Sequence, residues 1–127
     1  MILIYTTHKT AADAQKVIKR LMDKQLIACA NTFPINSTYR WKGKTVVEKE
    51  VVSLLKTRDQ LWTNVHDEIL LIHPYETPCI LKLSAEANMS YNLWINRETA
   101  MSAIGVMHSG AETPKSKVAS RTSPKKR

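Results

Sequence analysis

TYRWKGKTVVEKEVVSLLKT, Thr38 to Thr57, is the stretch on which the fold turns. Lys42-Gly43 separates two segments that read as extended, and from Thr45 to Thr57 Val and Leu are interspersed with charges. Two such runs around a glycine turn predict a β-hairpin. Its second arm is long. Residues 44–57, fully extended, span about 46 Å at roughly 3.3 Å per residue, whereas a compact body of this size has a diameter of about 34 Å. The arm should overhang its own domain. Val46, Val47, Val51 and Val52 then lie on exposed strand edges, an aggregation hazard unless a neighbouring chain pairs with them. Oligomerisation is the expectation; a bulge or bend that keeps the hairpin local is the alternative.

Upstream, Ile2 to Tyr5 is a continuous apolar run, the mark of a central strand, followed by a polar break from Thr6 to Lys9. Thr10 with Asp13 resembles a capping box, and Ala14, Val17, Ile18, Leu21 and Met22 recur with the period of an amphipathic helix. A second apolar run, Leu26 to Asn31, leads into irregular polar residues around Pro34. Downstream, Thr57 with Gln60 forms another capping box before a helix through Leu61, Val65, Ile69 and Ile72 that Pro74 ends. Cys79 to Ser84 reads as a fourth strand with Leu81 and Leu83 on one face. Ser90 can cap a last helix carrying Tyr91, Trp94 and Ile95. The order β-α-β-β-α-β-α predicts an α+β fold. It is a ferredoxin-like βαββαβ sandwich with a long hairpin between its second and third strands and a C-terminal helix.

Composition divides the chain in two. Of 127 residues 43% are hydrophobic and 24% charged, enough for one core. The net charge of +8 is concentrated at the end: residues 108–127 carry +5, leaving +3 for residues 1–107. We therefore read 1–107 as the folded domain and 108–127 as a basic tail too polar to offset its ordering entropy, hence disordered. Such a tail can make weak, salt-sensitive contacts with nucleic acid or an acidic partner, although plain solvation accounts for its composition equally well. Ser123-Pro-Lys-Lys-Arg127 also has the composition of a short nuclear-import signal. No apolar run approaches the roughly 20 residues of a membrane helix, and Ile2–Tyr5 is too short for a signal peptide. The expectation is a cytoplasmic protein with no membrane contact, its two cysteines, Cys29 and Cys79, present as thiols.

Enzyme chemistry finds little purchase. With glycine only at 43, 105 and 110, phosphate-cradling loops are absent, and no nucleophile sits in a recognisable elbow. His73 with Glu76 is an acid–base pair too common to specify a reaction.

Six strings in order carry a resemblance: Leu3-Ile-Tyr-Thr-Thr7, Leu26-Ile-Ala-Cys-Ala-Asn31, Tyr39-Arg-Trp-Lys-Gly-Lys44, Leu54-Leu-Lys-Thr57, His73-Pro-Tyr-Glu76 with Pro78, and Tyr91 with Trp94-Ile95. Over residues 2 to about 98 the chain resembles the CutA family of divalent-cation tolerance proteins. The resemblance implies a ferredoxin-like domain in a tight homotrimer joined through the long hairpin, similar in shape to the PII signalling proteins. It also implies a link to copper and other divalent cations, and no established reaction. Carried over by position, Cys29, Lys56, His73, Tyr75, Glu76, Tyr91 and Trp94 match residues near the family's inter-subunit cleft. Cys79 departs from the pattern, since relatives often have an acidic residue there, and the tail has no counterpart.

The residues allow two kinds of ligand. Cys29, His73 and Cys79 are the metal candidates, because thiolates suit reduced copper and imidazole suits copper or zinc. In a ferredoxin-like sheet the two cysteines fall on opposite edges, so a shared site needs neighbouring subunits. Each cysteine can equally be a small buried hydrophobe, and the prolines beside His73 can simply shape a turn. Lys56, Tyr75, Glu76, Tyr91 and Trp94 are the candidates for a small anionic ligand or partner protein. Packing is the plainer expectation for both Tyr91 and Trp94. His8, His66 and His108 are expected at the surface, and Trp41 is expected to brace a neighbouring subunit.

Overall fold

The computed structural model describes residues 1–99, one four-stranded antiparallel sheet and its helices. In chain order the elements are β1 (Ile2–His8), α1 (Ala11–Asp23), β2 (Cys29–Trp41), β3 (Lys44–Thr57), α2 (Trp62–Ile72), β4 (Ile80–Ser84) and α3 (Met89–Glu98), with a 3-10 turn at Asp59–Leu61 before α2. The sheet order is β2-β3-β1-β4. This is the ferredoxin-like arrangement expected from the element order. The boundary at 107 and the tail 108–127, with His108, lie outside the described residues.

Strand alternation sorts the sheet into two faces. Ile2 and Ile4 of β1 and Leu55 of β3 join Val17, Ile18 and Leu21 of α1 and Leu61, Val65 and Ile69 of α2 in one apolar core. Their neighbours in sequence, Leu3, Tyr5, Leu54 and Lys56, point to the opposite face, where β4 adds Leu81 and Leu83. Those two leucines are 49% and 45% exposed. An open face this apolar is unusual for a lone domain.

The hairpin turn is Lys42-Gly43, with φ of 50° and 78°. Positive φ at both central residues is the twist-matched geometry of a two-residue hairpin, and glycine adopts it without a Cβ penalty. β2 and β3 stay paired from Cys29–Lys56 to Trp41–Lys44, whereas β1 runs beside β3 only from Val51 to Thr57. Residues 44–50 therefore extend past β1 with β2 as their partner, an arm of about 24 Å.

Four local expectations are corrected. The supposed polar break after Tyr5 is strand: Thr6, Thr7 and His8 pair with Ser53, Val52 and Val51 and are buried. Pro34 does not interrupt β2, because an edge strand has no second ladder to lose there. Thr57 does not cap α2, since its hydroxyl donates to the Leu26 carbonyl at 2.7 Å, and α2 starts five residues later. Ser90 lies inside α3, whose N-cap is Asn88. Thr10 does cap α1, accepting from the Asp13 amide at 3.0 Å.

Candidate functional site

The residues singled out in the sequence separate into two groups. The first is buried where the loop after α2 crosses the ends of β1 and β3. Pro74 keeps His73 extended, at φ −74° and ψ 131°, and this turns the imidazole inward. Its Nε2–H donates to the Thr7 carbonyl at 2.8 Å, and its Nδ1 accepts from the Tyr75 amide at 3.1 Å. These two bonds fix the neutral tautomer and use both ring nitrogens. A metal on His73 would have to displace one of them. The Tyr75 hydroxyl donates to the buried Glu50 carboxylate, and its ring meets His73 edge-on at 4.7 Å. Glu76, next along, is exposed and has no partner among the described residues.

His8 completes this group, and its expected surface position is corrected: it is fully buried. Its ring stacks on His73 at 5.3 Å, and Nε2 lies 2.9 Å from the Ser53 hydroxyl. Burial first, and then the neighbouring His73, push its pKa down to about 4, against weaker opposition from Asp13 and Glu50. The alternation Ile2, Ile4, Thr6, His8 was the available signal that this histidine lies on the core face. Nothing local marks Glu50 as buried among the charges of the arm. His66 is partly exposed beside Asp67.

The second group lies on the open face. Cys29 and Lys56 are direct cross-strand partners on β2 and β3. α3 sets Tyr91 beside them, with Lys56 Nζ 3.3 Å from the phenol oxygen and 5.4 Å from the ring centre. Trp94, one turn on, lies 5.6 Å from Tyr91. Arg58, missed in the sequence, holds this helix in place: Nε donates to Thr99 Oγ1 at 3.1 Å and Nη2 to the Asn96 carbonyl at 2.6 Å. Ile95 is buried beneath. Cys29, Lys56, Tyr91 and Trp94 are all half-buried.

The two thiols do not meet. Cys29 starts one edge strand and Cys79 precedes the other, with β3 and β1 between them. Three strand spacings alone separate them by about 14 Å. Among the described residues no group of three or more His, Cys, Asp or Glu side chains is placed to hold a metal ion.

Fold and site together define a ferredoxin-like domain of the PII-like kind, with a projecting arm and a helix folded over the open sheet face. The family described as CutA1 divalent ion tolerance protein matches residues 2–98, and the chain belongs to that family. The divalent-cation tolerance protein CutA of Pyrococcus horikoshii is 40% identical over 100 residues, covering 78% of this chain and 98% of that protein. The crystal structure of Pyrococcus horikoshii CutA1 superposes with a TM-score of 0.77 at 38% identity, covering 80% of this chain and all of the other. The PII-like protein CutA from Nostoc sp. PCC 7120, in apo form, superposes with a TM-score of 0.74 at 25% identity, covering 79% and 98%. These relatives are named for cation tolerance or for a PII-like fold, and none of those names is that of a reaction. No described helix is long and apolar enough to cross a membrane.

Proposed function

We propose that this CutA-family chain acts as a cytoplasmic homotrimer that binds copper in the response to divalent cations and catalyses no reaction of its own. The observation that carries the proposal is the open sheet face. Leu81 and Leu83 are exposed there, the arm reaches beyond its own sheet, and Cys29 sits half-buried at the edge. In a trimer that edge adjoins a neighbour, so the Cys29 thiolate of one subunit can be joined by Cys79 of the next. Two soft sulfur ligands suit reduced copper. Divalent cations are weaker candidates for such a pair than monovalent, reduced copper. The test has two parts. Light scattering should give three times the 14.4 kDa chain mass. Calorimetric titration of the reduced protein with copper and zinc should show stoichiometric copper binding that Cys29→Ser abolishes. A monomer, or weak binding that survives in Cys29→Ser, would overturn the proposal.

One observation favours a second reading. Lys56 faces a phenol and a thiol and has no carboxylate partner among the described residues. A half-buried ammonium so placed suits a small anionic ligand or an acidic group of a partner protein, in the manner of PII-like signalling. Tyr91 and Trp94 would line that site; Tyr75 and Glu76 lie near Glu50, about 20 Å along β3 from Lys56, and would join it only from a neighbouring subunit. Binding lost in Lys56→Met but kept in Cys29→Ser would select this reading.

A further inference from the structure

The helix layer, on the side away from the open sheet face, carries a basic groove that neither reading above uses. Its lining is Lys16, Lys19, Arg20, Asp23 and Lys24 with Ile72 from the end of α2, around a volume of about 660 Å³. On α1 the stripe Lys16, Lys19, Arg20, Asp23 follows i, i+3, i+4, i+7 spacing and faces away from the buried stripe of Ala14, Val17, Ile18 and Leu21. The groove is thus a solvent-facing strip of positive charge along one helix.

The acids nearby do not cancel it. Glu68 of α2 is paired with both Arg20 and Lys24, its side chain only 13% exposed beneath them. Asp23 pairs with Lys19 at 3.0 Å. Lys16 has no acidic partner among the described residues. Four cations against two carboxylates leave the strip at +2, and one carboxylate is screened from solvent by the cations above it.

We infer that this strip binds the phosphate backbone of duplex nucleic acid without reading its sequence. Three features favour that occupant. The cations form a line about 12 Å long, from Lys16 to Lys24 at 1.5 Å per residue, which suits several successive phosphates better than one small anion. The groove lies open to solvent along the helix, whereas pockets for small metabolites are mostly enclosed. Among the described residues no aromatic ring lines the groove, which therefore offers no platform for stacking unpaired bases. Such contacts draw their free energy from counterion release and are steeply salt-dependent. The inference does not depend on the copper or anion reading, because the groove and the open face are on opposite sides of the sheet.

The test is fluorescence anisotropy of a labelled duplex of about 24 base pairs against the full chain over a salt series. Lys16→Glu/Lys19→Glu alters two exposed side chains and should reduce the slope of log K against log salt by about 2, with affinity at low salt falling roughly tenfold or more. Asp23→Asn should tighten binding. A third variant keeps the full chain and replaces the tail cations Lys115, Lys117, Arg121, Lys125, Lys126 and Arg127 with Gln. It should retain measurable, salt-sensitive binding. An unchanged slope in Lys16→Glu/Lys19→Glu would overturn the assignment. Complete loss of binding in the tail variant would do the same, as would a mononucleotide competing as well per molecule as the duplex.

Discussion

Around His73 the polar atoms are buried and turned on one another, whereas around Lys56 they are half-exposed and turned toward the open sheet. His73, Tyr75, Glu50, His8 and Ser53 bind backbone carbonyls, amides and each other, with His8 Nδ1 alone among their buried side-chain atoms lacking a partner among the described residues, and the loop after α2 is anchored by that network. Among the described residues the Lys56 ammonium makes one side-chain hydrogen bond, to Tyr91, at the long end of hydrogen-bonding distance. Buried and mutually satisfied polar groups specify structure, because each loses heavily if its partner goes. Half-exposed groups with spare donors cost little to keep and can recruit a ligand. The first group should therefore be read out in stability and the second in binding.

The largest effect expected on stability comes from His73→Ala. It removes the donor to Thr7 and the acceptor for the Tyr75 amide in one step, and leaves a void beside His8. A loss of about 3 kcal/mol is expected, measured by guanidinium titration at fixed protein concentration. Lys56→Ala in the same assay should lie within about 0.5 kcal/mol of the parent. Equal losses in the two variants would erase the distinction.

Acid should reach the same network through His8. Its folded pKa of about 4 lies below the ordinary histidine value of 6.5, so the unfolded chain takes up the proton first. Stability is then fully present above pH 6.5 and is lost as the pH falls from 6.5 toward 4, by about 3 kcal/mol at most. Other groups add their own slope, so the comparison is with His8→Asn, whose stability should decline less over this window. Parallel declines in the two proteins would mean that His8 is not held neutral by burial beside His73.

How much of this was legible in the sequence depends on range. The helical period of Val17, Ile18 and Leu21 and the turn at Lys42-Gly43 are local signals, and both appear in the structure as expected. Lys56 and Tyr91 were singled out through family resemblance, and the register Cys29–Lys56 together with α3 brings them side by side. The failures were tertiary. Thr6 to His8 look polar, yet pairing with residues 51–53 makes them strand. Thr57 looks like a cap, yet Leu26 takes its hydroxyl. Glu50 is the clearest case: between Lys49 and Val51 it reads as one more surface charge, yet in the fold it is buried and takes a hydrogen bond from Tyr75, 25 residues away.

Tyr75→Phe probes that partnership with a single atom. Glu50 would keep its burial and lose one donor, a change expected to cost about 2 kcal/mol, the usual worth of a hydrogen bond to a charged group. Glu50→Gln in the Tyr75→Phe background should recover part of the loss, because a neutral amide is cheaper to bury. No recovery would place the cost in ring packing instead.

Tyr91→Phe is the matching deletion on the open face, and the smallest effect expected. The hydroxyl removed accepts one bond, of 3.3 Å, from an ammonium that water still reaches. The ring stays to face that ammonium from 5.4 Å, so the loss of stability should not exceed about 0.5 kcal/mol. The same atom matters differently if Lys56 holds an anion, because the phenol would then orient the ammonium and offer the ligand a second donor. Binding of the anion should weaken several-fold in Tyr91→Phe while the guanidinium midpoint stays in place. A variant that loses as much stability as Tyr75→Phe would instead show Lys56 and Tyr91 to be a strut between β3 and α3, and the open face would have to be reread as structure rather than site.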